Sequence, residues 1–224
     1  MHWDQRIFIA ELNIEHFRLK LAGELDDAQR RTIFALLAEE EAKLLNLKAA
    51  AAERELSILI DLIAQRAVEL FSGAPPKPPQ KARDDVRAVI NRVPVGMGVM
   101  NSAGEMILYN EGMQVFVPDG SVSWDHLRHF RTMAGPISSP IWPGARALHG
   151  EVVNPGQEFV FIGADGREAE VRVAAVPIHN GDASVAGAIT AIYDLPTLGG
   201  GETGQGLALL VAEETGGHNG GPKA

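Results

Sequence analysis

Residues 100–112, MNSAGEMILYNEG, decide how the rest of the chain is read. The apolar run VGMGVM ends inside this stretch and the run EMILYN follows, with Asn101, Ser102, Ala103 and Gly104 between them. Asparagine and glycine adopt the left-handed backbone that a tight turn needs, so the pattern predicts a β-hairpin. Asn110 closes the second run, between Tyr109 and Glu111. Its short amide can bond backbone groups nearby, which predicts a structural part at the exit from the strand and no chemical one.

Downstream the same alternation returns. GQEFVFIG and EVRVAAVPI flank a turn at Asp165-Gly166, which predicts a second hairpin. HNGDASV then turns the chain into AGAITAIYDL, a last strand. Between the hairpins lie short helical candidates, residues 124–133 and 143–149. Two strands, short helices and three strands predict an α+β fold: a five-stranded antiparallel sheet with helices on one face.

Those elements, taken with their motifs, resemble the Per-Arnt-Sim (PAS) sensor domain. GVMNSAGEMILYNEGM is similar to that family's opening hairpin, with Ala103-Gly104 at the turn and Asn110 after the second strand. The segment WPGARALHGEVV through AIYDLPT resembles the second half of PAS domains in bacterial sensor kinases. The resemblance covers residues 86–197 and implies Gly104, Asn110, Arg146, Gly166 and Asp194 as structural motif positions. It also implies a sensory, non-catalytic role, with a small ligand or a partner protein bound by the sheet. A scaffold that binds only protein partners is the alternative, and a haem or flavin redox sensor a further one. For haem, His149 in RALHGE is the residue near the family's axial position; the cofactor itself stays open. Met97, Val99, Ile107, Phe159, Val173 and Ile189 occupy strand positions and are the expected pocket residues, subject to register.

Before residue 72 the character is different. Residues 3–71 hold no proline and one glycine, Gly23, amid Ala, Leu, Glu, Arg and Lys. Ile7, Ala10, Ile14, Phe17 and Leu21 share one helix face. Gly23 can end that helix, and Asp26 or Asp27 can cap the next. ELSILIDLIAQRAVELF gives a second face through Leu56, Leu59 and Ile63. The prediction is a helical hairpin, broken near the alanines at 49–52, that dimerises through a seam of Ile7, Ile14, Phe17, Leu21, Leu56, Leu59 and Ile63. Residues 72–85, with SGAPPKPPQK, read as a proline-rich linker. Residues 198–224 read as a glycine-rich disordered tail with one apolar nucleus at 207–211. Because Pro196 and three glycines follow the last strand, signal output is expected through the N-terminal helices.

Composition narrows the function classes. A net charge of −9 opposes general nucleic-acid binding and docking on anionic membranes. No apolar run is long enough to span a bilayer, and the N-terminus lacks a basic-then-apolar signal pattern. Zero cysteines rule out disulfides, thiolate nucleophiles and the flavin–cysteine adduct of light-sensing PAS relatives. The expected setting is a cytoplasmic, bacterial regulatory system in which a homodimer meets a protein partner. His126 and His129 with Asp125 in WDHLRHF are a weak metal pattern, better read as surface, so no metal is expected. Arg146 and Glu151 are expected to pair. The acids at 39–41 and at Glu53 and Glu55 are expected on a solvated helix face.

Overall fold

A computed structural model describes residues 3–71, 80–117, 124–137, 139–198 and Leu210. The chain opens with α1 (Trp3–Leu21) and α2 (Asp27–Ala67), packed as an antiparallel hairpin. The Gly23 amide closes α1 by donating to the Lys20 carbonyl at 3.0 Å. Asp26 caps α2: its carboxylate accepts from the Gln29 amide at 2.8 Å, while the Gln29 side chain accepts from the Asp26 amide. This reciprocal bonding satisfies two of the orphan donors at the helix start. The break expected near residues 49–52 is absent, and α2 runs through the alanines for 41 residues. Alanine is the strongest helix former, and here Ala49 and Ala52 are buried.

A third helix, α3 (Gln80–Ile90), begins inside the stretch expected to be linker. Its start follows the last proline, and Ala82, Val86, Val89 and Ile90 pack one apolar face onto the core. The rest of the expected linker, residues 72–79, lies outside the described residues.

The sheet comprises β1 (Gly96–Asn101), β2 (Met106–Tyr109), β3 (Phe130–Thr132), β4 (Gly135–Pro136), β5 (Val153–Ile162), β6 (Glu168–His179) and β7 (Val185–Tyr193). Its order is β2-β1-β7-β6-β5-β3-β4, and every pairing is antiparallel. The five expected strands are β1, β2, β5, β6 and β7; β3 and β4 extend one edge. Both predicted hairpins are present, with Gly104 at φ 81° and Gly166 at φ 77° in their turns. Short helices α4 (Glu111–Gln114), α5 (Pro143–Leu148) and α6 (Leu195–Leu198) complete the architecture. Pro196 sits in the first turn of α6, where a missing backbone donor costs nothing. The fold is α+β and PAS-like.

Helices cover both faces of this sheet, against the expectation of one. On one face α4 and α5 enclose Phe159, Val171, Val173 and Ile192. On the other, the C-terminal half of α2 and α3 cover Met97, Val99, Val176, Ile189 and Ala191. That is why β6 from Val171 to Ile178, and β7, are almost continuously buried instead of alternating. Leu210 of the expected disordered tail is 4% exposed and joins the second cluster.

The seam expected between two chains is occupied within one. Leu56, Leu59 and Ile63 are 1%, 0% and 1% exposed, packed on the chain's own sheet. Ile14 is buried beside Ala10 where α1 meets α2, and Ile7, Phe17 and Leu21 are half-buried. A sheet face buries Leu56, Leu59 and Ile63, so the second half of the long helix finds its partner inside the chain.

Candidate functional site: the helix–sheet junction

Asn110 organises one end of the fold, as its sequence position implied. It caps α4, and its side-chain oxygen accepts from the Met97 amide at 2.8 Å and the Met113 amide at 3.0 Å. Its side-chain nitrogen donates to the carbonyls of Ile90 and Val95 at 2.8 Å and of Val93 at 3.3 Å. One buried amide thus ties α3, β1 and α4 together. The neighbouring glycine is needed for this closeness: a Cβ on Gly112 would sit 3.0 Å from the Val95 carbonyl. Arg146 pairs with Glu151 and also donates to Gln157 on β5 at 2.7 Å, so α5 is pinned to the sheet as expected. The Glu151 carboxylate accordingly titrates below its ordinary range, because the arginine bonds its charged form. Asp194 follows β7 directly, at the start of the turn into α6.

The six expected pocket residues do not line one cavity. Met97, Val99 and Ile189 point to α2 and α3, with Ile107 packed against the same cluster. Phe159 and Val173 point the other way, toward α5. The side-chain period of a strand is two, and sequence alone did not fix which parity of each strand faced which layer. The α5 side is filled by rings: Phe130 lies 4.9 Å from Trp142 and 5.0 Å from Phe161, and Trp142 lies 5.4 Å from Phe159. Among the described residues these rings contact one another, and the sequence has no cysteine for a flavin adduct. His149 is exposed at the end of α5, its Nδ1 2.8 Å from the Ala145 carbonyl, so it does not line a haem site. Among the described residues no group of three or more His, Cys, Asp or Glu side chains could hold a metal. Asp125 and His126 have side chains outside the described set.

The polar chemistry collects where α2 crosses the sheet. Glu53 on α2 receives the Tyr193 hydroxyl at 2.7 Å from β7 and both of its oxygens receive Arg172 of β6, at 2.8 and 2.9 Å. Arg172 also donates to Glu158 on β5 at 2.7 Å, and the Gly156 amide donates to the Tyr193 hydroxyl at 3.0 Å. One turn further along α2, Asn154 donates to the Ser57 carbonyl at 3.1 Å. Burial raises the Tyr193 phenol above its ordinary value, reinforced by the Glu53 carboxylate, so the hydroxyl stays a donor. Arg172 is held more firmly protonated: burial opposes its charge, and bonds to Glu53 and Glu158 outweigh that.

At the far end of the crossing, Phe71 lies over Gly187, where a Cβ would come within 2.7 Å of its ring and against the Met100 carbonyl. Sequence reading missed this junction and put Glu53 on a solvated face. The signal was Arg172, the lone charge within the otherwise apolar VRVAAVPI. A charge that interrupts a doubly covered strand needs a partner.

No family model matches the sequence, and no curated protein matches it. Solved structures with a similar fold include a Rhodobacter sphaeroides LOV protein, at 12% identity over 61% of this chain and 95% of that chain, with TM-score 0.40. The PAS domain of Bordetella pertussis BvgS aligns at 18% identity over 50% of this chain and 83% of that one, with TM-score 0.30. The PAS domain of an HTR-like protein from Haloarcula marismortui aligns at 14% identity, 51% and 93% coverage and TM-score 0.30. No described helix is long and apolar enough to cross a membrane.

Proposed function

We propose that this protein is a non-catalytic signal-transduction module in which the state of the PAS-like sheet is passed to the N-terminal helical arm through α2. The observation that carries the reading is the Glu53–Arg172–Tyr193 junction, which bonds one helix to two adjacent strands. Any change in the twist or spacing of β6 and β7 moves the groups that hold Glu53. The ring packing among the described residues on the α5 side favours a protein partner as the input, the scaffold reading. For a small molecule, the polar group to hand is the Thr190 hydroxyl, which is buried on the α5 side of β7 without a hydrogen-bond partner. A bacterial cytoplasmic regulatory system remains the proposed setting.

Hydrogen–deuterium exchange tests the coupling. Molecules and proteins co-purifying with the full chain are identified by native mass spectrometry, and exchange is compared with and without them. Binding should change protection along residues 49–67. Binding that leaves this stretch unchanged overturns the coupling, whatever the ligand is.

A further inference from the structure

A half-open cavity of about 270 Å³ lies beside the helix–sheet junction, where the start of β6 runs along β5. The pairing of these strands sets Glu158 opposite Arg172 and Val160 opposite Glu170. Arg172 bonds α2, so all four residues stand on the α2 face of the sheet, away from the ring-packed α5 layer. Val160 gives the cavity an apolar floor, walled by Leu195 and Pro196 of α6 and by Met133 of the β3–β4 turn. Met133 is 84% exposed there.

The charges around it do not balance. Both oxygens of Glu53 receive Arg172, which takes up the charge of that guanidinium. Glu158 holds a single bond from Arg172 and its side chain is 75% exposed. Glu170, also exposed, makes no ion pair among the described residues. As diagonal neighbours on one strand pair, Glu158 and Glu170 have Cβ atoms about 7 Å apart, and a single cation between them can bond both carboxylates. We propose that this cavity binds a small primary amine with an apolar body. Its ammonium sits between Glu158 and Glu170, and its body lies on Val160, Leu195 and Met133. Charge complementarity selects this class: an anion would meet two carboxylates and find Arg172 already paired. An ammonium that takes Glu158 also competes with Arg172 for it, so occupancy reaches the junction directly. The site goes beyond the reading above, because it stands whether or not α2 carries a signal.

Calorimetry and methionine-methyl spectra of the full chain with 2-phenylethylamine test the site, with 3-phenylpropionate as the anion of similar shape. The amine should saturate with a dissociation constant on the order of 1 mM, as suits a probe of about nine heavy atoms. The Met133 methyl resonance should move, while that of Met113, buried in the opposite layer, should stay. Glu170→Gln should weaken the amine about fivefold or more. Glu168→Gln should not, because Glu168 shares that strand and face but is bonded to Arg131 and lies outside the cavity. Both residues are exposed, so both variants should keep the fold. No saturation up to about 20 mM, or equal binding of the anion, overturns the proposal. So does a shift of Met113 in place of Met133, or an equal loss in the two variants. Exchange protection along residues 49–67 in the amine-bound chain reads the α2 coupling separately, so the two readings fail by different results.

Discussion

The two halves of α2 are one uninterrupted helix in two surroundings. Residues 27–46 contain no buried residue, whereas from Leu47 to Ala67 nine are buried. The first half packs against α1, with Phe34, Leu36 and Leu45 left 54%, 41% and 48% exposed. Its polar links to α1 include the surface pair of Arg18 with Glu41 and a bond from the Asn13 side chain to Glu40. The second half is bonded to the sheet through Glu53 and covers it with Leu56, Leu59, Ile60 and Ile63. Helix propensity is similar throughout, so the difference lies in what each half packs against. The second half belongs to the sheet domain's core, and the first belongs to an arm.

The sharpest way to break that contrast is to put the same charge in each half. Leu59→Asp should cost about 3–5 kcal/mol, because it removes core packing and buries a carboxylate. Leu36→Asp should stay within about 0.5 kcal/mol. Urea unfolding of both variants reads the difference, and equal losses would mean that the arm is as structured as the core.

Asn110→Ala should come next, at about 2–4 kcal/mol, since it leaves several buried backbone groups of α3, β1 and α4 unpaired. Protease resistance of the helix–sheet core should fall with it. Glu53→Ala should cost about 2 kcal/mol by removing the acceptor that Arg172 and Tyr193 share. Its exchange protection should fall across residues 49–67 while the arm is unaffected; loss in the arm instead would blur the boundary between the halves.

The smallest effect is a pH dependence. The folded Tyr193 phenol titrates above its unfolded value, so its contribution is complete below the unfolded value and is lost as pH rises through the folded one. Melting temperature should therefore fall as pH rises above about 10, and Tyr193→Phe should flatten that fall. An unchanged alkaline slope in the variant would remove Tyr193 from the junction.

What was legible in the sequence was local. The NSAG and Asp165-Gly166 turns, the Asp26 cap, the bonding part of Asn110 and the Arg146–Glu151 pair each depend on residues close in the chain. What escaped depends on distant layers. Glu53 and Arg172 are 119 residues apart, and no pattern within α2 says that a sheet will cover it. Met97 and Phe159 looked equivalent because each lies in an apolar strand; only pairing and layering send them to opposite faces. β3 and β4 are too short to leave a period at all.

The continuity of α2 through its alanines has a mechanical consequence. With 41 residues it is a rod of roughly 60 Å, clamped over its second half and projecting roughly 30 Å beyond the clamp. A tilt of about 5° at the sheet, the scale of a small change in strand twist, displaces the far tip by roughly 3 Å. A hinge at the alanines would absorb that motion; a straight helix magnifies it. Sub-ångström adjustments around Glu53 are thereby delivered to α1 as a displacement comparable to the depth of a side-chain contact.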